Sequence, residues 1–228
     1  MTLEQNLKTV LDKIETAKNK SAWGQKVELI AATKTRSISK IEDLYHLGVK
    51  NIGENRVQEA ESKFLSFPGF EKIKKRFIGH LQSNKVNKCV KIFDSIDSID
   101  SLRLAKKLNK TLSQNCDKIE CLIEINTSAE PQKYGFQPQI TSDIISCLEL
   151  SQLNIVGLMT VGPNTRDETI KQNAFTLLRK LKDQINKEVG FQKIIELSMG
   201  MTNDYELAIQ EGSTMVRVGT GLFGARNY

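Results

Sequence analysis

The stretch "VELIAATKTRSISKIEDLYHLGVKNIGEN", residues 27–55, decides the fold. Two short apolar runs, "VELIAATK" and "VKNIGEN", flank the helix-like segment "SKIEDLYHLG". Strands joined by a helical crossover pair in parallel, with the helix laid over a face of the sheet. The same alternation continues through the apolar runs "RFIGHL", "IFDSID", "IECLIEIN", "NIVGLMTVG", "IIELSMG" and "MVRVGTG". Between them stand "RVQEAESKF", "SNKVNKCVK", "SLRLAKKLNKTLSQ", "ITSDIISCLEL", "ETIKQNAFTLLRKLKDQINKE" and "NDYELAIQEG". Eight strands alternating with helices predict a closed (β/α)8 barrel. No Pro- or Gly-rich linker interrupts the pattern, so one α/β domain over residues 1–228 is expected. A doubly wound open sheet is the competing topology, but the G-x-G-x-x-G and G-x-x-x-x-G-K-[ST] motifs are both absent. An amphipathic helix carrying Leu3, Leu7, Val10, Leu11 and Ile14 precedes the first strand as an extra element.

A hydrophobic share of 39% and a charged share of 26% describe a chain able to bury a sizeable core. No apolar run reaches bilayer-spanning length, and "MTLEQNLKTVLDK" lacks the apolar core of a signal peptide. A cytoplasmic protein away from membranes is therefore expected. Cys89, Cys116, Cys121 and Cys147 show no C-x-x-C spacing and lie in different elements, which reads as reduced thiols with neither a disulfide nor a zinc framework, and no metal is expected. The formal charge of +6 is spread along helices and mixed with acids, and aromatics make up only 6% of the chain. Nucleic-acid binding needs a concentrated basic patch with stacking platforms, so it is not expected. A basic protein does attract phosphorylated small molecules by long-range steering.

In such barrels the active site lies at the carboxyl ends of the strands. The apolar runs end at Lys34, Asn55, His80, Asp97, Asn126, Met159 with Thr160, Ser198 to Gly200, and Arg217 to Gly219. In a pleated strand Ile30, Ala32 and Lys34 share one face, which aims Lys34 at the barrel mouth above a small residue. A lysine in a poorly hydrated pocket loses basicity, and its neutral amine attacks carbonyls. From this stretch alone the snorkelling lysine just outside a strand is the favoured reading of Lys34, ahead of the reactive one. Phosphate sites in barrels commonly use the loops after strands seven and eight. Ser198 and Gly200, then Gly219, Thr220 and Gly221, supply hydroxyls and open backbone amides there. Met215, Arg217 and Gly219 share one face, which sends an arginine into the mouth to meet either a barrel carboxylate such as Glu124 or a ligand atom. A carbonyl-reactive lysine, a phosphate cradle and an arginine in one mouth suggest pyridoxal 5′-phosphate, with its aldehyde at Lys34 and its pyridine nitrogen at Arg217. An arginine there keeps that nitrogen unprotonated and weakens the ring as an electron sink.

At these residues the sequence resembles the pyridoxal phosphate homeostasis protein family. The motifs are "ATKT" around Lys34, "IGENRVQEA" (52–60), "FIGHLQSNK" (77–85), "IEINTSAEPQKYGF" (123–136), "GLMTVGP" (157–163), "LSMGMTNDYELAI" (197–209) and "STMVRVGTGLFGAR" (213–226), and the similarity runs over nearly the whole chain. The resemblance implies a single barrel of the alanine racemase type holding the cofactor as a Schiff base on Lys34. It places Arg217 at the pyridine nitrogen, Ser198, Gly219 and Thr220 around the phosphate, and Asn55 and Met159 close to the ring. It implies a role in vitamin B6 homeostasis, binding the cofactor or delivering it to apoenzymes that depend on it, without established turnover. Where the family often has serine before the lysine and proline soon after, this chain has Thr33 and Ser37; where it has Trp-His before "FIGHLQ", this chain has Lys75 and Arg76.

The alternative function is a cofactor-dependent amino-acid racemase or decarboxylase. Related barrel enzymes carry an additional β-domain and a second acid/base residue. The chain ends at "GLFGARNY", directly after the eighth strand, so neither that domain nor the dimer it forms is expected, and a monomer is. Tyr205 and Tyr228 are phenols in no context that marks a base, and His46 reads as a surface residue. His80 is a possible pocket residue, suited by type to acid/base work and equally to a structural hydrogen bond. A third reading is an aldolase-like lyase in which Lys34 attacks substrate directly, which would leave the protein colourless.

Overall fold

A computed structural model describes residues 2–64, 71–114 and 117–225. Cys116 and Tyr228 lie outside the described residues. Eight parallel strands close a barrel in sequence order: β1 (Glu28–Ala32), β2 (Asn51–Glu54), β3 (Lys74–Phe77), β4 (Ser95–Ile99), β5 (Ile119–Glu124), β6 (Leu153–Met159), β7 (Glu196–Met201) and β8 (Met215–Val218). The helices are α1 (Leu3–Lys20), α2 (Ile38–His46), α3 (Val57–Phe64), α4 (Val86–Ile92), α5 (Leu102–Ser113), α6 (Thr141–Leu148), α7 (Glu168–Val189), α8 (Tyr205–Gln210) and α9 (Thr220–Phe223). The open-sheet alternative is thereby excluded, because β1 hydrogen-bonds to both β2 and β8.

Two strands sit elsewhere than their apolar runs suggest. β3 ends at Phe77 rather than near His80, since a Cβ on Gly79 would come within 2.7 Å of the Asn55 backbone and the chain turns there. Asp97, expected to end its strand, lies inside β4 and is fully buried. Arg76 explains it: Nη1 donates to both Asp97 oxygens at 3.0 and 3.1 Å, and Nη2 to Glu120 at 2.9 Å. A buried carboxylate is tolerable when paired in this way. Apolarity alone therefore misplaces a strand whose inward residues are ionic.

Three layers fill the barrel. The lower one is this Arg76, Asp97 and Glu120 network, extended by Lys74, which donates to Glu120 at 2.8 Å. Ile30, Leu122, Met159 and Met215 form the apolar middle. Arg217, Ser198 and Thr160 lie above it. Outward residues of the same strands, Ala31, Val216 and Val218 among them, pack against α1, α2 and α8. α1 starts with a capping box of Thr2 and Gln5 and buries Leu7, Val10, Ile14 and Ala17. Asn6 of this helix donates to Leu222 O at 2.8 Å, which ties it to α9 under the barrel mouth.

β6 shows how tightly the wall is built. Cys121 pairs with Ile155 but Leu122 with Gly157, so Val156 is an extra residue bulged out of the ladder. A side chain on Gly157 would collide with the Glu196 carbonyl and come within 2.7 Å of Leu122 Cδ2. Gly157→Ala is expected to cost about 2–3 kcal/mol, the usual scale of overpacking, read as a lowered denaturant midpoint. An unchanged midpoint would show that the strand has slack.

Candidate functional site

At the carboxyl ends of the strands lies a cavity of about 830 Å3. Ala32 and Lys34 line it from the end of β1, Arg217, Gly219 and Thr220 from the end of β8. The loop after β7 (Met201 to Asp204) and the loop after β6 (Val161 to Arg166) complete the wall with Lys133 and Lys171. β8 lies beside β1, and that adjacency brings residues 34 and 217 together.

Lys34 stands two residues past the end of β1, in a turn bound on both sides. Thr33 N donates to Gly53 O at 3.0 Å, and Thr33 Oγ1 to Glu54 Oε1 at 2.7 Å. Thr35 has φ +62°, left-handed backbone that a β-branched residue seldom adopts. Its N–H donates to Glu59 Oε1 at 2.5 Å. Arg36 Nη2 donates to Gly224 O at 2.8 Å while its guanidinium lies 5.3 Å from the Phe223 ring, which links the Lys34 turn to the end of α9.

Arg217 is buried on the inner face of β8. Nη1 donates to Ser198 O at 2.7 Å and Ser198 Oγ at 2.6 Å, and Nη2 to Thr160 O at 2.7 Å. Burial lowers its pKa, against the opposing pull of Asp97, Glu124 and Asp204. Its hydrogen bonds thus go to neutral acceptors and not to Glu124, so its positive charge is presented to the cavity it lines. Glu124 is also buried; desolvation, and then the nearby Asp100, push its carboxyl up to about 7, with Arg217 pulling the other way.

The amides at the start of α9 converge on one oxygen. Gly219 N donates to Thr202 Oγ1 at 3.3 Å and Gly221 N to the same atom at 3.2 Å. Asp204 Oδ1 accepts the Met201 N–H at 2.6 Å and fixes the loop that carries Thr202. Lys133 donates to Gly162 O at 2.7 Å and pairs with Glu130 at 2.7 Å, which binds the β5–α6 loop to the wall.

Of the residues expected at the site, Lys34, Arg217, Gly219 and Thr220 line one cavity. Ser198 lies beneath it against Arg217, and Met159 in the apolar middle of the barrel. Gly200 (φ +93°) faces α8, where a Cβ would approach Ala208 Cβ to 2.6 Å. Asn55 and His80 border a separate groove of about 190 Å3. There His80 Nδ1 is 2.8 Å from Asp100 Oδ2 and the ring stacks on Tyr134 at 3.7 Å. Thr202, Lys133, Arg166, Lys171 and Asp204 were not singled out in the sequence. Thr202 and Asp204 stand inside the quoted stretch "LSMGMTND", Lys133 inside "IEINTSAEPQKYGF" and Lys171 inside the helical segment that forms α7, whereas Arg166 comes from a loop that no apolar run marks. Tyr205 is buried among α1 and α8 residues, away from the cavity lining.

Comparison with known proteins bears on this geometry. Residues 5–227 match the family model for the alanine racemase N-terminal domain. The chain is 38% identical over 231 residues to the pyridoxal phosphate homeostasis protein of Haemophilus influenzae, covering 100% of this chain and 98% of that one. The structure of PipY from Synechococcus elongatus with pyridoxal phosphate bound superposes with a TM-score of 0.86 at 29% identity, over 98% of this chain and 100% of that one. Alanine racemase of Clostridium difficile shares the fold, with a TM-score of 0.73 at 18% identity, over 98% of this chain and 57% of that one.

The raised Glu124 pKa has a signed consequence. The folded state holds the proton up to about pH 7, whereas the unfolded chain releases it near pH 4.3. Stability from this group is complete below the unfolded value and is lost as pH rises through the folded one. Glu124→Gln is expected to match the wild type at pH 4 and exceed it at pH 8 by about 3 kcal/mol, measured by denaturant unfolding at both pH values. Equal stabilities at pH 8 would show an unperturbed carboxyl.

Proposed function

The chain belongs to the pyridoxal phosphate homeostasis protein family, and from that premise we propose that it binds pyridoxal 5′-phosphate in the barrel mouth, on Lys34 as a Schiff base, and handles the cofactor without turning over a substrate. The observation that carries this reading is the shared cavity of Lys34, Arg217, Gly219 and Thr220. The residues present fit the group. Lys34 offers a primary amine for the aldehyde. The Gly219 and Gly221 amides converge on a hydroxyl oxygen, the donor geometry that a phosphate oxygen needs. Five cationic residues line the cavity against the single carboxylate of Asp204, which suits a dianionic phosphate.

When bound, the cofactor supplies an aldehyde for amines and a ring able to accept negative charge. Arg217 has no proton to give up at neutral pH, so it would donate to the ring nitrogen and leave it unprotonated. Ser198 and the Thr160 carbonyl hold the guanidinium at that height in the barrel, and Met159 lies in the apolar layer below. Thr220 and Gly219 would bind the phosphate, with Gly200 letting the β7 strand pack closely on α8 nearby. Asn55, one residue past β2, would approach the ring only from the neighbouring groove that it borders together with His80. The described cavity lining contains no tyrosine, histidine or cysteine side chain, and Asp204 is committed to the Met201 amide. Racemisation needs a second base on the opposite face of the substrate, and no phenol, imidazole or thiol of the described lining supplies one.

Cys89, Cys121 and Cys147 are free and buried, in keeping with a reducing cytoplasmic setting. No helix among the described residues is long and apolar enough to cross a membrane. We read the protein as a single-domain monomer that exchanges its cofactor with apoenzymes.

Purified protein mixed with pyridoxal phosphate is expected to show a visible absorption band that Lys34→Ala abolishes. A band that survives in Lys34→Ala would place the attachment elsewhere. The loaded protein, incubated with a panel of amino acids, is expected to show neither racemisation nor decarboxylation by chiral chromatography; robust turnover would replace the handling role with an enzymatic one.

A further inference from the structure

We propose that Lys63, with Glu59 and Glu54 as its counter-charges, is a positioning residue for Lys34: this cluster on β2 and α3 sets the turn from which the Lys34 side chain enters the cavity. The inference rests on Lys34 being the attachment point argued above. Lys63 is 7% exposed, and lysines are almost never buried without partners. Nζ donates to Thr33 O at 2.9 Å, Glu54 Oε1 at 2.8 Å and Glu59 Oε1 at 2.6 Å, which uses all three of its protons. Glu54 also accepts from Thr33 Oγ1, and Glu59 from Thr35 N. The residues on either side of Lys34 are thus both bound by one cluster.

Two further observations separate this from ordinary packing. Thr35 holds a left-handed φ that is retained only where surrounding contacts enforce it, and its enforcing contact is Glu59. Buried ion clusters are also a poor means of stabilising a fold, since desolvation offsets most of the attraction. Glu54 shows that cost: Oε2 is buried with no hydrogen-bond partner, and burial raises its pKa despite Lys63 and Thr33. The cluster lies outside the cavity lining, so its effect on the cofactor runs through the Lys34 turn.

Two ligands test this: pyridoxal 5′-phosphate, and pyridoxamine 5′-phosphate, which shares the ring and phosphate but has an amine where the aldehyde stands. Glu59 reaches the surface, so Glu59→Ala is the first variant and Lys63→Met the second, each with thermal unfolding recorded. Both are expected to weaken pyridoxal phosphate binding about ten- to hundredfold, the scale of a lost charge-assisted hydrogen bond, and to shift the visible band. Affinity for pyridoxamine phosphate should stay at the wild-type value. Glu59→Gln keeps an oxygen for the Thr35 amide and should restore most of the pyridoxal phosphate affinity. Wild-type binding of pyridoxal phosphate in both variants, or an equal loss of both ligands, overturns the positioning role. A wild type with no preference for the aldehyde over the amine overturns attachment at Lys34, and the positioning role with it.

Discussion

Hydrogen bonding between β1 and β8 is the seam on which the mouth of this protein depends. Ala31 lies beside Val218 and Ile30 beside Arg217 in that ladder. A position 34 residues into the chain therefore faces positions more than 180 residues later across one strand spacing. Arg36 repeats the connection above the sheet by binding the Gly224 carbonyl. Nothing local in sequence makes a site here; barrel closure makes it. Closed barrels leave no edge strands, so the seam is also protected from competing pairings.

Closure alone would give an apolar plug. What makes the upper layer different is a guanidinium fixed by three hydrogen bonds to neutral acceptors, in a place where burial disfavours its charge. Arg76 solves the same problem differently lower down, with Asp97 and Glu120 in direct contact. One arginine is neutralised as structure and the other is left to act on whatever occupies the cavity. The contrast follows from which carboxylates share each layer, since Glu124 is buried without bonding to Arg217 and is pushed up to about 7.

The eight-fold alternation was legible because apolar strands and amphipathic helices differ in period, and the inward face of β8 could be read from Met215 and Arg217. The limits of β3 and β4 were not legible, because Arg76 and Asp97 are polar residues that face inward and break the apolar signal. That Lys34, Arg217, Gly219 and Thr220 share one cavity was legible from residue type and strand position. Lys63 was not, because a lysine on a helix ordinarily points to water, and only the fold shows it buried under the Lys34 turn. Thr202 was passed over for its neighbours Ser198 and Gly200, since amides converging on a hydroxyl cannot be read from one dimension. His80 sits in "FIGHLQSNK" as expected, yet its turn carries it to Asp100 and Tyr134.

Attachment of the cofactor at Lys34, as proposed, is open to direct chemical test. Protein loaded with pyridoxal 5′-phosphate, reduced with borohydride and digested, gives peptides whose masses locate the fixed group. The account predicts the added mass on the peptide containing Lys34, and on it alone at one equivalent of cofactor. A label on Lys63, Lys133 or Lys171 instead, or no fixed label at all, would contradict it.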